Sequence, residues 1–277
     1  MKNRYIINAS CIHQVLGITS SSKIKGIKMD DLKNKKGKGL KNSIYSDLKE
    51  KLINCIYQPG TVLNEIQLTN EYKVSRTPIR EAISRLEMDG YLKILPKKGI
   101  YVTDISLNNV IQIFQVREEI EPLAIKMAEP YLNVEDLKMF RQRFEAEDLD
   151  LSNSFRLDTA MHLYIIEHCG NDYIIQMMHK VFDDNTKIII ASKQNQVKIH
   201  DAKCEHIEIL DSLIEKKDIN ETSRLLRTHI GTCRRAALDY FCSGGLSTFM
   251  PDTNLQYKEQ LKKIAQYGKP EPAARPN

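Results

Sequence analysis

Apolar positions recur along this chain with two different periods, and the change from one to the other divides it. Ser43 to Ile56 carries Ile44, Leu48, Leu52 and Cys55 at helical spacing, and Pro59-Gly60 ends that run. Glu65 to Tyr72, with Ile66, Leu68 and Tyr72, reads as a second short helix, broken from the next at Lys73-Val74-Ser75. Val74 to Leu86 is a third. Ser75 or Thr77 can cap it, and Pro78 sits in its first turn, where no backbone donor is needed. Ile79, Ile83 and Leu86 make its apolar stripe, which leaves Arg76, Thr77, Arg80 and Ser84 on the open side. Gly90 to Leu95 and Ile100 to Thr103 are β-prone and flank Pro96-Lys97-Lys98-Gly99, so they predict a hairpin with a basic tip. Beyond the link Asp104-Ile105-Ser106 the period stays helical. It predicts helices over roughly Leu107–Ala128, Val134–Glu145, Ser152–His168, Tyr173–Ala191, His200–Glu215 and Ile219–Cys242, with no convincing strand.

The expected fold is therefore mainly α: an N-terminal winged helix-turn-helix of three helices plus a β-hairpin wing, then an all-α bundle of about six helices. An amphipathic helix with arginines on its wet side occurs in any helical domain. The order helix, helix, turn, cationic helix, basic hairpin is more specific, because helix and wing converge on one surface and offer charge to groove and phosphates together. The candidate DNA contacts are Ser75, Arg76, Thr77, Arg80 and Ser84 from the helix and Lys97, Lys98 and Gly99 from the wing. The run Leu63-Asn64-Glu65, Leu68, Val74-Ser75-Arg76-Thr77-Pro78-Ile79-Arg80-Glu81-Ala82, Leu86-Glu87, Gly90-Tyr91, Pro96 and Gly99 resembles the GntR family of winged-helix transcriptional regulators. Some members of that family also reach DNA with an arginine of the second helix, where this chain has Ile66.

Charge sharpens the division. Through Asp104 the chain carries 19 Lys and Arg against 10 Asp and Glu, a net of +9, while the remainder carries 22 against 26, a net of −4; together these make the +5 of the whole. A basic front half suits nucleic acid, and the back half must bind something else. At 277 residues with 42% hydrophobic content the chain can hold two cores. The expected spans are a flexible basic arm over 1–41, the winged domain over 42–104, an effector-binding and dimerisation domain over 105–243 and a tail over 244–277. Serine, glycine and lysine dominate Ser20 to Lys41, and Met29 could serve as an alternative start. Tyr5-Ile6-Ile7 is too short and too polar for an export signal, and no later run approaches a membrane span. The six cysteines have no metal-knuckle spacing, so a reducing, cytoplasmic location is expected.

Four residues carry the candidate chemistry of the bundle. Asp158 and His162 are four apart and share one helix face; His206 and His229 stand among apolar neighbours that would turn them inward. Three imidazoles and a carboxylate from three helices can hold one borderline cation such as Zn²⁺, Ni²⁺ or Mn²⁺, although satisfied half-buried histidines fit the same spacing. His168, His179 and His200 lack the pattern, and Cys169 and Cys204, close to the ligands, read as small buried thiols. Asp158 with His162, Gly170-Asn171, Glu205-His206, and Asp218 followed by His229 resemble the FCD branch of the GntR family, the branch that includes FadR-like regulators. The resemblance implies a helical effector domain that binds a metal through one Asp and three His, with Arg117 and Asn171 as effector contacts. This chain departs from the branch in a short Glu145–Ser152 segment and in Thr222, where alanine is common.

The expectation is a transcriptional regulator rather than an enzyme: a homodimer on a near-palindromic double-stranded DNA operator, with an organic acid or sugar acid as effector. A pure metal sensor is the first alternative. A metal-dependent hydrolase fused to a DNA-binding domain is the second; it needs a general base, for which Glu205 is the candidate.

Overall fold

The computed structural model describes residues 38–146, 151–192, 200 and 202–242. The expected tail over 244–277, the arm up to residue 37 and the alternative start at Met29 lie outside the described residues. Within them, α1 spans Lys38–Ile53, α2 Glu65–Tyr72 and α3 Arg76–Met88, and the strands are β1 (Val62–Leu63), β2 (Leu92–Leu95) and β3 (Gly99–Val102). The bundle follows as α4 (Leu107–Ala128), a 3-10 turn at Glu129–Tyr131, α5 (Val134–Glu145), α6 (Leu151–Glu167), α7 (Asp172–Ala191), α8 (Lys203–Ile214) and α9 (Ile219–Tyr240). The chain is a winged helix-turn-helix followed by an all-α domain.

Local chemistry sets the element ends. Asn64 caps α2 by accepting from the Ile66 amide, and Lys73 closes it in the left-handed conformation that makes the turn into α3. Helix α1 begins before Ser43, where the periodic run starts, because Leu40 adds a turn to its apolar face and the Ser43 hydroxyl folds back onto the Gly39 carbonyl. Ser75 occupies the cap position of α3, yet its side chain makes no capping bond. A reciprocal box between Ser106 and Asn109 starts α4 sharply after the wing. Helix α8 begins at Lys203, after His200.

The wing is larger than a hairpin. Strand β1 pairs antiparallel with β3, Val62 opposite Tyr101 and Leu63 opposite Ile100, giving the order β1-β3-β2. Two residues are too few to show a strand period, so this strand has no sequence signature. Its approach requires Gly99: φ there is 118°, and a Cβ would lie 2.8 Å from Val62 Cγ1 and 2.9 Å from the Leu63 carbonyl oxygen.

Two apolar cores are separate. Ile44, Leu48, Leu52, Leu68, Ile79, Ile83, Leu86, Tyr91 and Val102 close the winged domain. In the bundle, α4 lies against α6, α7 and α9, and α5 against α6 and α8, around Phe140, Met161, Tyr164, Ile165, Met178, Phe182, Leu210 and Ile230. Helix α1 also meets α7, so the winged domain leans on the bundle through that helix.

Candidate metal centre and nucleic-acid interface

Three helices aim side chains at one point in the bundle. Asp158 and His162 come from α6, His206 from α8 and His229 from α9, and their ligand atoms all lie within 4.8 Å of one another. The three rings are almost completely buried, at 1%, 2% and 2% exposure, while Asp158 keeps a partly open edge. His206 Nε2 is 3.2 Å from His229 Nε2, which is 3.3 Å from His162 Nε2; Asp158 Oδ1 is 2.8 Å from His206 Nε2. With metal–nitrogen bonds of about 2.0–2.1 Å, neighbouring ligands stand roughly 3.0 Å apart in an octahedron and 3.4 Å in a tetrahedron. The observed nitrogen separations fall in that interval.

The far nitrogens explain why the near ones face inward. His162 Nδ1 is 2.5 Å from Glu121 Oε2, and His229 Nδ1 is 2.7 Å from Glu205 Oε2. A carboxylate accepts the Nδ1 proton in each case, which leaves an Nε2 lone pair on each ring, and those lone pairs converge. A cation between them would remove the repulsion and would find the donor set already at ligand spacing. Phe144 stacks on the His206 ring with centroids 4.6 Å apart and fixes its plane. Burial pushes the His229 imidazole down to about 4, the direction that keeps it neutral and able to ligate. Burial would raise the Asp158 carboxyl, but the His206 and His162 rings and the Arg117 guanidinium hold it below the ordinary carboxylate range.

Glu121 and Arg117, four apart on α4, are both buried. Arg117 Nε donates to Glu121 Oε1 at 2.6 Å, and the guanidinium carbon lies 4.7 Å from the Phe182 ring centre. Burial opposes ionisation of Glu121, yet Arg117 and His162 more than offset it and bring its pKa down to about 2. Arg117 therefore reaches the centre through Glu121. Asn171 is used differently: its Oδ1 accepts from the Tyr173 and Ile174 amides and caps α7, so the Gly170-Asn171 pair has a structural role that needs no effector. Glu205 Oε2 also receives His200 Nε2 at 3.2 Å; bound on both sides to imidazoles, it orients rings instead of standing free as a general base. No local signal in the sequence marks Glu121 or Glu205 as positioning residues, because the metal-facing rings they hold are 41 and 24 residues away.

The remaining candidates fall elsewhere. His168 Nδ1 is 2.7 Å from the Tyr164 carbonyl oxygen, and His179 pairs with Glu167. Cys169 is buried as expected of a small thiol, whereas Cys204 is exposed because its turn of α8 faces away from the core. Thr222, in the usual place of alanine, is buried against the Ser212 hydroxyl at 2.5 Å.

On the winged domain, Ser75, Arg76, Thr77, Arg80 and Ser84 are exposed along α3, and Lys97 and Lys98 are exposed at the wing tip beside the half-buried Gly99. Arg76 and Arg80 have 65% and 63% of their side-chain surface open, and Glu65 at the start of α2 accepts from Arg80 Nε at 2.9 Å. Tethering Nε leaves the two terminal nitrogens of Arg80 free to form a fork. Lys97 takes a left-handed backbone, φ 62°, that makes the wing turn tight.

Comparison with known proteins is consistent along the chain. The family described as bacterial regulatory proteins, gntR family, matches residues 40–102, and the FCD domain matches residues 112–232. An uncharacterised HTH-type transcriptional regulator of Bacillus subtilis, YdhC, is 29% identical over 161 residues, covering 56% of this chain and 72% of that one. The Escherichia coli repressor GlaR is 26% identical over 200 residues, covering 68% and 91%. Among solved structures, Escherichia coli McbR/YncC superposes with a TM-score of 0.60 at 20% identity over 72% of this chain and 96% of that one, a likeness of fold. No helix among the described residues is long and apolar enough to cross a membrane.

Proposed function

The chain belongs to the GntR family of bacterial regulatory proteins, with an FCD domain behind its winged helix, and from that premise we propose how this DNA-binding transcriptional regulator is controlled. One divalent cation is held by Asp158, His162, His206 and His229, and a small organic acid or sugar acid bound at that cation modulates the grip on the operator. The observation that carries the reading is the convergence of three Nε2 atoms, at 3.2 and 3.3 Å separations, with two of the rings tied back to carboxylates. Three nitrogens and one oxygen suit zinc, nickel or manganese. When bound, the cation supplies positive charge that a carboxylate can neutralise, and up to two positions of an octahedron remain for it. Arg117 adds a second positive charge beside them, already balanced by Glu121, so an incoming anion has to compete with that pair. Glu121, Glu205 and Phe144 keep the three rings in place while the sphere changes.

The operator is read by Arg76 and Arg80, with Ser75, Thr77 and Ser84 on the same face, and Lys97, Lys98 and Gly99 set the wing on the phosphates. One such domain reads only a few base pairs, so the working form is a homodimer on a near-palindromic site. The test is a set of single alanine changes at the four ligands, assayed for metal by emission spectrometry and for operator binding against a panel of carboxylates with and without chelator. The expected result is one cation per chain in the parent, its loss in each variant, and a carboxylate response confined to the loaded protein. A parent that takes up no zinc, nickel or manganese overturns the metal centre. A loaded parent that responds to chelator but to no carboxylate is a metal sensor alone.

A further inference from the structure

Helix α7 touches both functional halves of the molecule with consecutive residues. Phe182, 2% exposed, has its ring centre 5.9 Å from that of His162 and 4.7 Å from the Arg117 guanidinium carbon. The next residue, Asp183, leaves the bundle and accepts from Tyr91 Oη at 2.7 Å and pairs with Lys49 Nζ at 2.7 Å. Lys180, one turn earlier, lies 3.5 Å from the Tyr91 ring centre. One turn later, Lys187 is buried and donates from Nζ to the Thr103 carbonyl at 2.6 Å. Residues 180, 183 and 187 follow helical spacing, so this is a continuous stripe beside the one that faces the metal ligands.

The winged-domain end of these contacts is equally specific. Tyr91 follows the recognition helix, is 2% exposed, and bonds through its amide to the Leu86 carbonyl at the end of that helix. Thr103 leaves the wing; its amide bonds to the Tyr91 carbonyl, and its hydroxyl to the Gly90 carbonyl. Asp183 and Lys187 thus grip the point where recognition helix and wing are joined, which sets the angle of both against the bundle.

We infer that Asp183 is a positioning residue for operator binding, and that α7 carries occupancy of the metal centre to the winged domain through Phe182 on one face and the Asp183–Tyr91 bond on the other. The inference rests on the metal-centre reading above. A cation at the centre would fix the His162 ring, which packs on Phe182, to its three partners, and a helix is stiff across the one peptide bond that joins Phe182 to Asp183, so a firmly held ring would firm the placement of α7 as well. Regulation requires that the loaded and empty centres favour different placements of α7; equal preference would transmit nothing.

The experiment compares operator affinity of chelator-stripped and zinc-loaded protein in the parent, in Tyr91→Phe and in Asp183→Ala, with zinc affinity measured for each. Tyr91→Phe removes one oxygen and keeps the ring in the winged-domain core, so folding is preserved. The parent is expected to show a ratio of about 5- to 150-fold between the two states, in the usual range of coupling between sites. Both variants are expected to bind zinc as the parent does while that ratio collapses towards one. Hydrogen exchange over 86–103 gives a second readout, slowed by zinc in the parent and indifferent to it in the variants. Variants that keep the parent's ratio overturn the inference, as does a parent that binds zinc with no change in operator affinity. A parent that binds no zinc overturns the metal-centre reading first, and the two failures are thereby distinct.

Discussion

Replacing Glu121 with glutamine tests the construction of the centre at a residue that is not itself a ligand. Glu121 is 1% exposed and serves two cations or donors at once, Arg117 Nε at 2.6 Å and His162 Nδ1 at 2.5 Å. Glutamine keeps the size but loses the charge, and one of its two terminal atoms becomes a donor facing a donor. Arg117, 4% exposed, is then a buried charge without its partner, a situation that typically costs about 3–5 kcal/mol. For a domain of this size that is a fall in Tm on the order of 10 °C. His162 in turn loses the acceptor that selects its Nδ1–H tautomer, and loss of such an outer partner typically weakens metal binding by about 10- to 100-fold. Unfolding by denaturant in excess chelator isolates the first effect; competition with a chromophoric chelator at a temperature where both proteins are folded isolates the second. A Tm within about 2 °C of the parent together with unchanged metal affinity would refute the argument for Glu121 altogether. A destabilised protein with unchanged metal affinity would show that Glu121 serves Arg117 and that His162 takes its tautomer without help.

Other outcomes follow from the same geometry. Gly99→Ala places a Cβ 2.8 Å from Val62 Cγ1 at a φ of 118°, so the winged domain should lose roughly 1–3 kcal/mol and operator affinity should fall with it, as read by denaturation and by binding. Arg80→Ala should cost about 1–3 kcal/mol on the operator and relax preference at one base pair, whereas Lys97→Ala should weaken all sequences alike and reduce the salt slope by about one; equal operator affinity for parent and Arg80→Ala would place the wrong face of α3 on DNA. Acid should release stability in a defined window: Glu121 has its pKa lowered from 4.5 to about 2 in the folded protein, so its contribution is fully present above about 4.5 and disappears as pH falls from there towards 2. That contribution is roughly 3 kcal/mol, and an acid titration of metal-free Glu121→Gln should lack the corresponding slope.

Periodicity made the helices legible because each must bury one stripe, and the stripes of α1, α3 and α4 to α9 are long enough to display a period. Asp158 and His162 were legible for the same reason, as an i, i+4 pair on one such helix. Strand β1 was not, since two residues carry no period and its place depends on the absence of a side chain at Gly99, across the sheet. The carboxylates that orient the rings leave no local trace either. Glu121 looks like any acidic position on a helix that also carries Glu118 and Glu119, and those two pair with Arg234 and Arg227 of α9, the first part-buried and the second exposed. What distinguishes Glu121 is the side of α4 it occupies, and Pro122 beside it, whose carbonyl accepts from the buried Ser223 hydroxyl, keeps that side pressed against α9. Asn171 has a local role that the sequence does show: an Asn directly before a helical run is a cap, and its Oδ1 accepts from the Tyr173 and Ile174 amides at the start of α7.

The same contrast applies to the contact between the two halves. A residue pair such as Tyr91 and Asp183, separated by 92 positions, appears in neither core pattern, because Tyr91 satisfies the winged-domain core with its ring and offers only its oxygen outward. Burial of the ring and exposure of one polar atom at the domain boundary is what a directional contact between two independently closed cores requires: apolar contact alone would hold the domains together at many angles, whereas one hydrogen bond and a buried lysine on a backbone carbonyl select one. Removing the Tyr91 oxygen should therefore leave both cores and the metal intact and alter only the angle between them. If Tyr91→Phe instead lowers the melting temperature of the winged domain by as much as a core truncation does, the bond belongs to that domain's stability, and communication must run through the α4 connection at Ser106.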